Sequence, residues 1–133
     1  MVRRTECCVD TAALIAFLDR SDTHHNLFRR LFASPPPLVA SALVVAEGHG
    51  WFLRRYDQQR AIQFLTFIRE APLMLLGFGR DEFEQAAQLI RRFSDQALTL
   101  ADAHGLVAMR ERGISVCWST DRHLTLTGVS LVE

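Results

Sequence analysis

At 133 residues the chain has the length of one domain, which we predict to span residues 1–133, and it is long enough to bury a substantial core. Its 49% hydrophobic and 23% charged residues are ordinary for a folded soluble protein. Fifteen basic residues, all arginine, balance 15 acidic ones, and the formal net charge of zero excludes a global positive field that would attract nucleic acid.

Strand and helix signals alternate through the first half of the chain. In chain order they predict a strand at 6–9, a helix at 11–18, a helix capped by Ser21 or Asp22 that ends near 33, and a strand at 38–40. Ser41 caps a third predicted helix that runs to about 56, and Asp57 opens a fourth. The apolar positions of this fourth helix are Ile62, Phe64, Leu65 and Ile68.

The second half continues the same alternation. A strand is predicted at 73–76, helices at 80–93 and 99–112, a strand at 115–118 and a fifth strand at 129–132. Gly113 is suited to end the last long helix. Strands that alternate with helices indicate a parallel sheet covered on both faces. The predicted fold is therefore α/β, a three-layer α/β/α sandwich with a parallel sheet of four or five strands.

Two glycines lie inside the third predicted helix. Gly48 and Gly50 flank His49, and each destabilises a helix interior by about 1 kcal/mol relative to alanine. Close packing against another backbone would explain them, and so would room for a substrate beside Glu47. The sequence leaves both explanations open.

The cysteines and the apolar runs indicate where in the cell the protein is expected. Cys7, Cys8 and Cys117 form no Cys-x-x-Cys pair and each falls in a predicted strand, so we expect buried, reduced thiols in a reducing cytoplasm. Residues 1–6 are polar and no signal-peptide core follows them, so no signal peptide is expected. No apolar run approaches the roughly 20 residues of a membrane-spanning helix, and no membrane association is expected.

Four carboxylates lie within or beside apolar sequence. Asp10 ends a run that begins at residue 7, Glu47 lies within the apolar stretch 41–52, Asp102 lies within 98–103, and Asp121 follows the run 115–118. An acidic side chain in such a place is costly to desolvate unless something compensates its charge. The chain has no lysine to pair with these acids. The pattern therefore suggests a shared cation, and Mg²⁺ prefers all-oxygen sites of this kind.

Each acid also has an ordinary structural explanation when it is taken alone. Asp10 can cap the first helix, Asp121 can cap a short final helix, and Glu47 can face solvent. Asp102 follows Thr99 at the spacing of a capping box. Together, however, the acids fall where the carboxyl ends of parallel strands form a crevice. A divalent cation there would relieve their mutual repulsion and orient a water molecule for attack on a phosphodiester.

The sequence around these acids resembles a known family. The matching pieces are Val-Asp-Thr at 9–11, Ala-Glu at 46–47, Leu-Thr-Leu-Ala-Asp-Ala at 98–103 and Ser-Thr-Asp-Arg-His-Leu at 119–124. In this order the chain resembles PIN-domain ribonucleases, and among them the VapC-type toxins of bacterial type II toxin–antitoxin pairs. The resemblance covers nearly the whole chain, and the third and fourth pieces carry most of its specificity.

The resemblance implies a function and a site. It implies an endoribonuclease in which Asp10, Glu47, Asp102 and Asp121 are catalytic and hold one or two Mg²⁺ or Mn²⁺ ions. The supporting positions that it implies are Thr11, Thr120 and Asp95. It further implies an RNA substrate, a cognate antitoxin protein that blocks the site, a homodimer and a cytoplasmic location.

Two other functions are compatible with parts of the pattern. A non-catalytic PIN-like module that binds RNA or protein would not need all four acids. A phosphatase with Asp10 as nucleophile would usually have a second aspartate close behind it and a lysine to hold phosphate, and this chain has neither.

The histidines at 49, 104 and 123 each lie two residues after an acid. Residues so spaced do not share a helix face, so we do not expect these histidines to be metal ligands.

Overall fold

Five parallel strands form one sheet in the computed structural model of the chain, which describes residues 5–132. The strands are β1 (Cys7–Val9), β2 (Leu38–Ser41), β3 (Leu73–Leu76), β4 (Val116–Trp118) and β5 (Ser130–Leu131). Their order across the sheet is β3-β2-β1-β4-β5. The first four residues, which belong to the polar segment where no signal peptide is expected, and Glu133, the end of the predicted domain, lie outside the described residues.

Helices cover both faces of this sheet. They are α1 (Thr11–Leu18), α2 (His25–Ala33), α3 (Ala42–Arg55), α4 (Gln58–Glu70), α5 (Arg80–Arg92) and α6 (Leu100–Arg112), with a short 3₁₀ helix at Arg122–Thr125. Alternate strand residues point to opposite faces. Cys7 and Val9 accordingly pack with α1–α4, whereas Cys8 packs with α5 and α6. The predicted three-layer α/β/α sandwich is confirmed, and its sheet has five strands.

The strand order creates a crevice at a defined place. From β1 the chain builds outward through β2 and β3, and it then returns to the other side of β1 for β4 and β5. The order therefore reverses between β1 and β4, and ligands of open α/β sheets bind outside the carboxyl ends of the strands at such a point. Val9 pairs with Trp118 in this register, so the residues that follow them, Asp10 and Ser119, leave the sheet side by side.

Two features differ from the sequence prediction, the start of the second helix and the inward face of the fourth. The second helix begins at His25, because the carboxylate of Asp19 accepts hydrogen bonds from both the backbone N–H and the hydroxyl of Ser21 and holds that segment in a turn. Two of the apolar residues named for the fourth helix are exposed, Ile62 at 52% and Leu65 at 41%. The buried face of the helix is instead formed by Ala61, Phe64 and Ile68. Ile62 and Leu65 each follow one of these residues by one position, which turns them about 100° away from the buried face.

Close packing explains the first of the two helical glycines. A Cβ atom at Gly48 would clash with the ring of Phe64, which is fully buried between α3 and α4. The predicted partner was another backbone, and the structure shows an aromatic ring instead.

Gly113 ends α6 in the left-handed conformation at φ 67°, as its position predicts. Within residues 5–132, every helix is too short or too polar to span a bilayer.

Candidate active site

Asp10 leaves the end of β1 and lies at the base of the crevice. It is 7% exposed, and its side chain makes no capping hydrogen bond to α1 although the residue occupies the N-cap position. The hydroxyl of Ser119 donates a 2.8 Å hydrogen bond to Asp10 Oδ2 and accepts a 2.9 Å hydrogen bond from the backbone N–H of Asp121. Ser119 therefore couples the carboxylate after β1 to the segment after β4.

Glu47 reaches the same crevice from the second turn of α3. Thr11 Oγ1 donates a 2.7 Å hydrogen bond to Glu47 Oε1, which ties the start of α1 to α3. The hydroxyl of Ser41 caps α3 by accepting from the N–H of Leu43 and lies 2.6 Å from Nδ1 of the buried His104 on α6. The helices that carry Glu47 and Asp102 are thus braced against each other next to the crevice.

Asp102 and Asp121 both cap helices and both face the crevice. Asp102 Oδ2 accepts from the N–H of Thr99, and Thr99 Oγ1 accepts from the N–H of Asp102, which completes the predicted capping box. Asp121 Oδ1 accepts from the N–H of His123 at the start of the 3₁₀ helix. Each cap engages one carboxylate oxygen, so a capping role and a role in the crevice are compatible for these two acids.

The four acids line a single cleft of about 310 Å³. Its other lining residues are Thr11, Ala12, Trp51, Arg54 and Thr99. Burial, with smaller contributions from the negative charges of Asp102 and Glu47, raises the pKa of Asp10 to about 6, although hydrogen bonds from the Ser119 hydroxyl and the Thr11 backbone act in the opposite direction. The cleft therefore concentrates negative charge around a carboxylate that water solvates poorly.

The donor set of the cleft fits a hard divalent cation. Its candidate ligands are carboxylate oxygens, and the raised pKa of Asp10 reflects a negative charge that the surrounding protein does not compensate. Asp102, Asp121 and His123 each offer one ligand atom, and these three atoms lie within 4.8 Å of one another. Asp10 and Glu47 line the same cleft outside this tight group.

The side chain of His123 lies closer to its acid than the two-residue spacing suggests. Its Nδ1 lies 3.1 Å from Asp121 Oδ1, although a two-residue offset would separate the two side chains on an α-helix. Asp121 precedes the short helix in an extended conformation, with φ −90° and ψ 115°, and its side chain folds over the first turn. The geometry of a cap, rather than of a helix face, brings the imidazole to the acid.

Two predicted supporting residues do not reach the cleft. Thr120 is exposed and lines a different surface cavity together with Arg122 and Ser130. The hydroxyl beside Asp10 belongs to Ser119, which sequence analysis missed. The parallel register of β1 and β4 is the signal that identifies it, because it aligns position 119 with Asp10. Asp95 is exposed in the turn before α6, where it accepts a 3.4 Å hydrogen bond from Gln96, and it does not line the cleft.

Comparisons with known proteins find similarity over most of the chain. The family model for the PIN domain matches residues 7–129. The chain is 29% identical over 119 residues to ribonuclease VapC26 of Mycobacterium tuberculosis, an alignment that covers 88% of each protein. It is 27% identical over 122 residues to the 23S rRNA-specific endonuclease VapC20 of the same organism, which covers 90% of this chain and 92% of the relative.

Solved structures show the same fold. The crystal structure of VapC20 from M. tuberculosis, described as a sarcin-ricin loop cleaving toxin, has a TM-score of 0.88 at 25% identity and covers 96% of this chain and 98% of that one. A chain from a toxin-antitoxin complex of Klebsiella pneumoniae has a TM-score of 0.63 at 18% identity and covers 96% of both chains. The second likeness concerns the fold alone.

Proposed function

This chain belongs to the PIN domain family, and on that premise we propose that it is a divalent-metal-dependent endoribonuclease of the VapC toxin type. The observation that carries the proposal is the single cleft lined by four carboxylates from separate segments of the chain. The names of VapC26 and VapC20, a ribonuclease and an rRNA endonuclease, support RNA as the substrate class. Mg²⁺ is the proposed cofactor, and Mn²⁺ is the alternative.

The residues that would hold the cation are Asp10, Glu47, Asp102 and Asp121. When bound, a divalent cation offsets negative charge on a phosphodiester and makes water a stronger nucleophile at neutral pH. Thr11, Thr99 and the N–H of His123 each donate to one oxygen of an acid in this set. The second oxygen of Glu47, Asp102 and Asp121 accepts no hydrogen bond from residues 5–132, so it is available to a ligand.

The protein groups around the acids act by fixing them in place. Ser119 and Thr11 orient the carboxylates of Asp10 and Glu47, and the capping box orients Asp102. Preorganised acids would hold a cation at one position before a phosphodiester enters, and a positive charge fixed in advance beside the developing negative charge is usually a large contribution to catalysis. Burial of Asp10 makes its negative charge unfavourable without a cation, which supports the proposed metal dependence.

The proposed partners follow from the same family. A small antitoxin protein would bind the chain and block the cleft, and the presence of the fold in a toxin-antitoxin complex supports this proposal. We further propose a homodimer that acts in the cytoplasm. Cys7, Cys8 and Cys117 are buried free thiols, a state that suits a reducing compartment.

Cleavage of RNA by partner-free protein tests the proposal. Wild type should cut RNA in Mg²⁺ or Mn²⁺ and lose all cleavage in chelator, and Asp10→Asn and Asp102→Asn should each abolish it while the protein stays folded. Asp81→Asn, which removes an exposed acid from α5, should cut like wild type. Folded, Mg²⁺-loaded protein that binds RNA without cutting it would favour the non-catalytic module instead.

A further inference from the structure

One face of α3 continues beyond Glu47 along the cleft. Residues spaced by three, four and seven positions share a face of an α-helix. Trp51 and Arg54 follow Glu47 by four and seven positions, and all three line the cleft. Among the described residues that line it, Arg54 is the only one with a positive charge.

The guanidinium of Arg54 is not committed to the protein. Its side chain makes no hydrogen bond or ion pair with any residue in the range 5–132, and the residue is exposed. Its neighbour Arg55 differs, because it lies 5.4 Å from the centre of the Tyr56 ring and does not line the cleft. The two adjacent arginines thus have the same charge in different surroundings, which makes Arg55 a matched control.

Gly50 lies directly beneath this guanidinium. A Cβ atom at Gly50 would be 2.9 Å from Arg54 Nη1 and 3.7 Å from Cζ, and the three atoms nearest to it outside the helix backbone would all belong to Arg54. The ring of Phe64 explains Gly48, whereas the atoms nearest to a Cβ at Gly50 belong to an arginine tip rather than to a core side chain. Glycine destabilises a helix interior relative to alanine. The second glycine therefore provides room for an arginine tip that folds back along α3 towards the acids.

We propose that Arg54 binds a phosphate group of the RNA at the edge of the cleft, and that Gly50 sets the position of its guanidinium. This inference rests on the proposed ribonuclease function. Helical rise places Gly50 about 4.5 Å along the α3 axis from Glu47, so the guanidinium lies beside the acids. A cleft of four carboxylates repels a polyanion, whereas a planar guanidinium offers paired donors to phosphate oxygens. Arg54 supplies the local attraction that the net charge of the chain lacks.

RNA binding by a nuclease-inactive protein tests this role. All variants are made in the Asp10→Asn background, and fluorescence anisotropy of a labelled single-stranded RNA is measured in Mg²⁺ over a series of NaCl concentrations. Arg54→Ala should weaken binding by about tenfold or more. It should also reduce the magnitude of the negative slope of log association constant against log salt by about 0.7, the value for one lost phosphate contact on a single strand. Arg55→Ala should leave both the affinity and the slope near those of the parent protein.

Gly50→Ala separates the position of the guanidinium from its charge. It keeps Arg54, and its melting temperature should equal or exceed that of the parent, because alanine favours the helix. Its RNA affinity should nevertheless fall by at least several-fold. Binding as tight as the parent's would overturn the role of Gly50.

The outcomes distinguish this inference from the function on which it rests. Equal losses for Arg54→Ala and Arg55→Ala would overturn the inference and leave the ribonuclease proposal intact. Tighter Mg²⁺ binding by Arg54→Ala together with unchanged RNA affinity would show that Arg54 only balances the acids, and it would also overturn the inference. Failure of the parent protein to bind RNA and of wild type to cut it would overturn both.

Discussion

Replacement of Asp10 by asparagine should stabilise the protein when no divalent metal is present. Asparagine keeps the shape of the side chain and an oxygen that can accept from Ser119, but it carries no charge. Burial and the nearby acids raise the pKa of Asp10 from 3.8 to about 6 in the folded protein. Because one pKa unit corresponds to about 1.4 kcal/mol, ionised Asp10 lowers the stability of the fold by roughly 3 kcal/mol.

The sign of this effect fixes its pH dependence. The folded state binds a proton at Asp10 more tightly than the unfolded chain does. The stabilisation from that proton is fully present below pH 3.8 and is lost as pH rises through about 6. The stability gained by Asp10→Asn should therefore be near zero at pH 4, grow between pH 4 and 6, and level off near 3 kcal/mol at pH 7–8.

Urea denaturation in chelator from pH 4 to 8 measures this difference. Asp81→Asn is the control, because Asp81 is exposed on α5 and its replacement should give a small difference with no step near pH 6. Addition of Mg²⁺ should stabilise wild type more than Asp10→Asn, since only wild type retains the complete set of acids. If Asp10→Asn were less stable than wild type by a constant amount at every pH, Asp10 would be a structural residue and the electrostatic argument would be wrong.

Three further predictions concern neighbouring residues. Ser119→Ala should lower stability by about 1–2 kcal/mol and raise the pKa of the buried acid that it contacts, whereas Thr120→Ala should change neither; urea titrations and NMR of the carboxyl carbon would measure both effects. His123→Asn should weaken Mn²⁺ binding more than Mg²⁺ binding in calorimetric titrations, because imidazole nitrogen suits the softer ion; an equal loss for both ions would exclude a nitrogen ligand. Gly48→Ala should lower the free energy of unfolding by about 1–3 kcal/mol, because its methyl group overpacks the core, and an increase would contradict the observed packing.

The sequence was sufficient to predict the layers of the fold and the four acids of the cleft. Apolar runs mark the strands, and Asp10 and Asp121 follow two of them that are neighbours at the point where the strand order reverses. A residue within a few positions after a buried parallel strand lies near the carboxyl edge of the sheet. Their placement therefore requires little knowledge of tertiary packing.

Local sequence patterns could not predict which of two adjacent side chains faces the cleft or the core. The choice between Ser119 and Thr120 depends on the register between β1 and β4, which no local pattern contains. The approach of His123 to its acid depends on an extended cap and a 3₁₀ turn. Ile62 and Leu65 look like core residues, but the rotation of α4 is set by the contact between Phe64 and α3.

The face of α3 illustrates a different limit. The spacing of Glu47, Trp51 and Arg54 already aligns them on one helix face, but the sequence does not say whether that face points to the core, the cleft or solvent. The packing of α3 against α4 through Gly48, together with the Thr11–Glu47 hydrogen bond, holds the helix in the rotation that turns the three side chains to the cleft.

Calorimetric titration of Mg²⁺ and Mn²⁺ into partner-free protein tests most directly whether the four acids form one metal site. We predict binding at this cleft by wild type, a loss of affinity of about tenfold or more in Asp102→Asn, and wild-type affinity in Asp81→Asn, which removes the same charge from an exposed site on α5. Circular dichroism of each variant verifies that the fold is retained. Equal affinity in wild type and Asp102→Asn would contradict the account, because it would place the metal away from the cleft.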